Sequence, residues 1–339
     1  MEDITEKLPH GKEILNPLIP DATWDVSGLF TFDDQFTGIL NAGRNLHNCE
    51  IPIRSIHGCF PVMWNGGRVV DVNTPILGDK NSSGPEQVLK HWSECPVPVG
   101  CFYTFSNHLL KEKHLDDPSS NWLLDILVKH NQQKVNGVIV STDILSDYIR
   151  KKYPELKQKA SIVKSSVEKS KVFGRDFKYY DELTKRFDII MLHPDDGHDK
   201  ELLKQIADSG KQESYEIILN ENCPIGCNVR KPCYATTARD GIEGWHGMFH
   251  FFSPQQEYGA SATGQDLRCG RNNYAHPDPK LRTTKRSCNL TQDELVEVYN
   301  MGFRHFKLQG RDRSWNAMYN DFVRYAFDPD HLVTWKEWL

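Results

Sequence analysis

The sequence predicts a TIM-type (β/α)8 barrel, and three observations carry that expectation. From Cys49 onward, short runs rich in Ile and Val alternate with amphipathic stretches, the rhythm of βα units around a parallel sheet. Seven such runs fall within about 260 residues, a span that suits a closed barrel better than a doubly wound sheet. No Gly-x-Gly-x-x-Gly follows the first run and no Walker sequence occurs, so nucleotide-binding open sheets lose their usual sequence support.

The elements follow in order. The first 48 residues, broken by Pro9, Pro17 and Pro20, show little regular period and read as an N-terminal extension, leaving 49–339 as the barrel domain. Strands are expected at Ile51–Ile56, Gly100–Phe105, Gly137–Val140, Ala160–Ser165, Ile189–Leu192, Glu216–Leu219 and Phe303–Leu308, with Gly247–Phe252 the candidate for an eighth. Between them, Pro85–Trp92 opens with a proline where a helix has no use for the N–H. Asn121–His130 carries Trp122, Ile126 and Leu127 on one face, and Asp143–Lys152 begins with Thr142 or Asp143 as its capping residue. Phe177–Phe187, Lys200–Asp208, Gln292–Met301 and Trp315–Ala326 complete the helices, with Thr291 and Glu294 spaced as a capping box. Segment 230–285, rich in Gly, Asn, Arg, His and Pro, is too long for an ordinary βα loop and reads as an insertion.

Composition narrows the function. With 38% hydrophobic and 26% charged residues in 339, the chain has the make-up of a soluble globular protein. Its net charge of -5 argues against a general nucleic-acid coat, although local basic patches stay open. No run approaches the roughly 20 apolar residues of a membrane span. The acidic start Met-Glu-Asp-Ile is neither signal nor transit peptide, so a cytoplasmic location is expected. There the nine cysteines would stay reduced, available for metals or chemistry.

Five of them cluster late. Cys223, Cys227 and Cys233 lie within eleven residues just after a predicted strand, and Cys269 and Cys288 follow. Four thiolates suit zinc or an iron–sulfur cluster and exclude calcium or magnesium. The gap between Cys223 and Cys227 exceeds the two-residue spacing usual in zinc knuckles. Arg230, Lys231, Arg268, Arg271 and Arg311 are the neighbouring basic residues, either as partners of an anionic centre or as solvated loop charge.

Asn220-Glu221-Asn222-Cys223 with Cys227, then Arg286-Ser287-Cys288-Asn289-Leu290, an amphipathic helix, and Gly302-Phe303-Arg304-His305-Phe306-Lys307-Leu308-Gln309-Gly310-Arg311 form an ordered set. This set resembles the collagenase-like, unknown-catalytic-type peptidase superfamily, which includes RNA-hydroxylation proteins and a ubiquinone-biosynthesis accessory pair. The resemblance covers roughly Ala160–Arg313. It implies a barrel binding a four-iron (4Fe-4S) cluster through Cys223, Cys227 and Cys288, with Cys233 or Cys269 as the fourth ligand. Gly310 and Arg311 match the family's terminal Gly-Arg, whereas Gln309 replaces its usual Glu and the first cysteines lie closer together.

Other groups offer chemistry at the strand ends. His57 and Cys59 read either as a thiol–imidazole pair or as polar residues at the barrel mouth. Arg68, after two glycines, suits an anionic substrate. His193-Pro194-Asp195-Asp196 suits substrate, a divalent metal or acid–base work, against ordinary turn chemistry. His246 and His250 stand four apart but lack the zincin glutamate. Glu221 suits proton handling, against a structural bond to loop N–H groups. By the resemblance, the leading expectation is a redox or hydroxylation-type enzyme acting on RNA or a small anionic molecule, with Glu221 and Arg311 catalytic and His57, Arg68 and His193 contacting substrate. A hydrolase with structural zinc, or a non-catalytic partner- or RNA-binding scaffold, are the alternatives.

Overall fold

Eight short parallel strands close on themselves in chain order, β1 pairing with β8. They are β1 (Thr23–Ser27), β2 (Ile53–Gly58), β3 (Gly100–Phe105), β4 (Gly137–Val140), β5 (Lys157–Ala160), β6 (Ile189–Met191), β7 (Tyr215–Ile218) and β8 (His305–Lys307). The computed structural model describes residues 11–66, 84–169, 175–221, 223–227, 230–243, 287–310 and 314–331. Helices cover the barrel: α1 (Asp33–His47), α2 (Pro85–Ser93), α3 (Pro118–Lys129), α4 (Asp143–Lys152), α5 (Ile162–Glu168), α6 (Phe177–Thr184), α7 (Lys200–Asp208), α8 (Arg230–Ile242), α9 (Gln292–Asn300) and α10 (Trp315–Ala326). Among the described residues no helix is long and apolar enough to cross a membrane.

The (β/α)8 expectation is met, with corrections to its parts. The first βα unit, β1 and α1, lies inside the segment read as an extension, so the barrel begins before Cys49. With β1 in place the barrel has all eight strands; Gly247–Phe252 lies outside the described residues. The strand expected at Ala160–Ser165 is instead the end of β5, then α5 capped by Ser161, whose side chain accepts the Val163 N–H. The segment read as an insertion opens with α8, and 244–286 lie outside the described residues.

Local chemistry sets the helix starts. Asp117, Thr142, Asp176, Asp199 and Ser314 each accept a backbone N–H from the first turn, and Thr291 with Glu294 forms the capping box. The seam between first and last strands is sealed by aromatics. Trp24 faces outward from β1, its ring 6.0 Å from Phe306 of β8 and 6.0 Å, edge-on, from Phe322 of α10. Burying a side chain of that size contributes about 2–3 kcal/mol.

Gly137 marks where β4 passes closest to its neighbours. A Cβ there would sit 2.3 Å from the Lys157 carbonyl oxygen and 2.6 Å from the Phe102 ring. Gly137→Ala is therefore expected to lower stability by about 1–3 kcal/mol. Urea unfolding would measure it, and an unchanged midpoint would contradict the packing described.

Candidate functional site

The carboxyl ends of β6 and β7 carry a buried polar cluster. After β7 the chain forms an antiparallel bridge, Pro224 against Ser287, so Cys223 stands directly across from Cys288. The Cys288 N–H donates to the Cys223 carbonyl at 2.9 Å. Proline suits its bridge position, where neither N–H of the pair points at the partner. Cys227 ends the next turn, its N–H on the Pro224 carbonyl at 3.2 Å, with Gly226 at φ 69° making that turn. Cys233 lies one helical turn beyond Arg230 in α8.

Asp195 is the hub. Its Oδ1 accepts from the Cys288 thiol at 3.2 Å, the Gly226 N–H at 3.2 Å and Arg230 Nη2 at 3.4 Å. The same Arg230 nitrogen lies 3.5 Å from the Cys288 sulfur and 3.4 Å from the Pro224 carbonyl. Arg230 is only 4% exposed, and among the described residues its Nε and Nη1 have no hydrogen-bond partner. Burial disfavours its charge, but Tyr234, Cys223, Glu221 and Asp195 outweigh that and hold the guanidinium firmly protonated. Burial pushes the Cys288 thiol up, against the pull of Arg230.

A second network braces this one. Arg175 forks onto Asp196, with Nη2 to Oδ1 at 2.6 Å, and the Tyr180 hydroxyl donates to Asp196 Oδ2 at 2.6 Å. Tyr180 also accepts the His193 N–H at 3.0 Å. His193 Nδ1 takes Arg175 Nη2 at 3.0 Å and the Asp195 N–H at 3.2 Å, which places the ring proton on Nε2. Burial, then Arg230 and Arg175, hold this imidazole well below its ordinary range, so it is neutral.

Below the rim, the barrel interior is charged where such barrels are usually packed with branched apolar side chains. Alternate strands supply one layer: Asp25 (β1), Phe102 (β3), Lys159 (β5) and Glu216 (β7). Lys159 Nζ lies 2.5 Å from Asp25 Oδ1, 2.8 Å from Glu216 Oε2, 3.1 Å from Ser55 Oγ and 4.4 Å from the Phe102 ring centre. Arg54 ties the same carboxylates together, contacting Asp25 Oδ2 and, at 2.8 Å, Glu216 Oε2. The next layer joins His57 (β2) and Lys307 (β8), whose Nζ donates to His57 Nδ1 at 3.2 Å. Ile139, Met191 and Ile218 complete an apolar wall with Phe102.

The structure brings Cys223, Cys227 and Cys288 into one corner, with Glu221 beside them. Glu221 is buried, and its Oε1 accepts the Cys223 N–H at 2.8 Å, the structural alternative weighed for it. His193 stands in the adjoining network, whereas His57 lies inside the barrel against Lys307. Arg68, Cys269 and Arg311 lie outside the described residues, as do His246 and His250. Among the described residues, no three His, Cys, Asp or Glu side chains gather to hold a single metal ion. Sequence reading missed Asp25, Arg54, Lys159, Glu216 and Lys307. For Glu216 the signal is a charge inside an otherwise apolar strand, Tyr215-Glu216-Ile217-Ile218.

No family model matches the chain, and no curated protein matches it. Among solved structures, that of a U32 peptidase is similar, with a TM-score of 0.47 at 10% identity, covering 85% of this chain and 92% of that one.

Proposed function

We propose that the chain is an enzyme whose rim site holds a four-iron cluster on Cys223, Cys227 and Cys288, with Cys233 or Cys269 as fourth ligand. One observation carries the reading: Cys223 and Cys288 face each other across a bridge beside a buried guanidinium, two of whose nitrogens have no hydrogen-bond partner among the described residues. A thiolate-bound cluster is anionic and rich in acceptor sulfur, so it would complete the hydrogen bonding of Arg230. The donor set fits on chemistry as well, being soft sulfur. A cubane is wider than one ion, so its ligands need not crowd onto a single point.

When bound, the cluster supplies electron transfer to a redox or hydroxylation-type reaction. The residues around it have separate tasks. Asp195 holds Arg230 and the Gly226 N–H beside Cys288, and Glu221 fixes the loop carrying Cys223. His193, locked with hydrogen on Nε2, offers a neutral donor at the strand ends, where barrel enzymes bind substrate. The substrate class is an anion, either a small molecule or RNA, with Arg68 and Arg311 as the arginines to contact it.

Anaerobic purification with iron and sulfide analysis tests this. Brown protein with a visible absorption band is expected in the wild type, and its loss in Cys223→Ser and Cys288→Ser. Stoichiometric zinc without iron would replace the reading with a hydrolase on a structural zinc site. Metal-free protein would remove it.

A further inference from the structure

We infer that α8 is a movable lid, crossing the mouth of the barrel from the cysteine corner and latched at its far end by Asn107. At its first residue, Arg230 reaches the segment after β6, with Nη2 3.4 Å from Asp195 Oδ1. Farther along, α8 packs on α5, which follows β5, and on the short helical turn Met63–Asn65, which follows β2. β2 and β6 stand on opposite sides of the closed ring. A straight helix of 13 residues, about 20 Å long, that touches both sides passes over the carboxyl ends of the strands. Barrel enzymes bind substrate there.

The latch is Asn107, in the loop after β3. Its Nδ2 donates to the Ala238 carbonyl at 3.0 Å and to the Met63 carbonyl at 2.8 Å, tying α8 to the segment after β2. This tie lies at the other end of α8 from the cysteine corner, so its release is readable whether or not metal is bound there.

The rest of the hold is weak. The side of α8 turned to the barrel carries Arg230, Tyr234, Thr237, Ala238 and Gly241, all buried, with Lys231 and Arg239 exposed on the other. Tyr234 is the one large ring in that stripe, and Thr, Ala and Gly bury little apolar surface. α3, of similar length, buries Leu123, Leu124, Ile126 and Leu127 instead. Thr236, Thr237, Asp240 and Gly241 also give α8 low intrinsic helix propensity. Segments with so little apolar burial open at low cost, and lids are drawn from them.

Two hydroxyls at the mouth favour opening. Thr104 Oγ1 and Ser141 Oγ are buried and have no hydrogen-bond partner among the described residues. Strand alternation turns both inward, as it does Phe102 and Ile139 one step below them. Buried polar groups are normally satisfied, so the closed helix strands two hydroxyls that water or a polar substrate satisfies once α8 lifts.

Thiol labelling reads the motion in the wild-type protein. Cys59 lies at the mouth, two residues beyond His57, which faces inward onto Lys307. Cys101 faces outward from β3 into the layer between barrel and helices, and so reports global unfolding. Both are 1% exposed. The full-length protein is pulsed with N-ethylmaleimide, digested and mapped by mass spectrometry, each rate being divided by that of the same thiol in the urea-unfolded chain. Cys59 is expected to react at least about tenfold faster than Cys101. Asn107→Ala is expected to raise the Cys59 rate about fivefold and leave Cys101 unchanged. Equal rates in the wild type, or a Cys59 rate that Asn107→Ala does not move, would overturn the lid. Should Asn107→Ala loosen the whole fold and speed Cys101 as well, hydrogen exchange of the wild type decides. Amides of α8 exchanging at least about tenfold faster than those of α3 support the lid, and equal protection overturns it.

Discussion

Lys159→Met is expected to lower the unfolding free energy by about 3–5 kcal/mol, because it leaves two buried carboxylates short of a cation. Asp25 and Glu216 are both 0% exposed, and Lys159 sits between them at 2.5 and 2.8 Å. Burial alone would raise the Asp25 carboxyl, yet Arg54 and Lys159 outweigh it and hold it well below the usual carboxylate range. Removing one partner therefore costs more than the pair is worth. The same reasoning makes the effect non-additive: adding Glu216→Gln to Lys159→Met is expected to recover part of the loss, since it removes the stranded charge. Urea unfolding of the two variants measures this. A double variant less stable than Lys159→Met would show that the layer is held by packing rather than by charge balance.

That layer also explains what the sequence did and did not disclose. β3 and β4 are readable at their observed bounds because Gly-Cys-Phe-Tyr-Thr-Phe and Gly-Val-Ile-Val are apolar or aromatic on both faces, as buried parallel strands are. β1 and β5 are not. Thr-Trp-Asp-Val-Ser carries Asp25 inward, and Lys-Gln-Lys-Ala carries Lys159 inward while Gln158 bonds Ser146 of α4. Strands polar on the core side look like loops, and the apolar Ile162-Val163 beside β5 drew the strand assignment into α5. The cysteine corner was legible for a local reason, since Cys223 and Cys227 are close in sequence. Asp195 and Arg175 were harder to see as a unit with it, because only the barrel's closure places the end of β6 beside residues 287–290.

Acid is expected to destabilise the protein from near pH 6.5 downward, and His305 is the group to test. Its Nδ1 faces the Thr23 hydroxyl at 2.7 Å and its Nε2 lies 2.8 Å from a Glu213 oxygen, the pattern of a neutral ring. Burial, then Arg54, lowers its pKa to about 3, with Lys159 acting in the same sense and Asp25 against. Between the unfolded value of 6.5 and that folded value, the unfolded chain binds a proton that the folded one refuses. Stability is thus fully present above 6.5 and falls with pH through this window, by up to about 1.4 kcal/mol per pH unit for each such histidine. His193, held well below its ordinary range, and His108, lowered to about 4 by burial and Lys231, add slopes of the same sign. Asp25 adds its own only below its unfolded value of 3.8, as its depressed carboxyl is finally protonated. His305→Gln keeps an acceptor for Thr23 and a donor for Glu213 but cannot take up the proton. Its unfolding free energy should stay near the wild-type value at neutral pH and exceed it increasingly toward the acid end. Urea titrations across the window decide the matter, and parallel curves for the two proteins would mean that His305 is already charged in the fold.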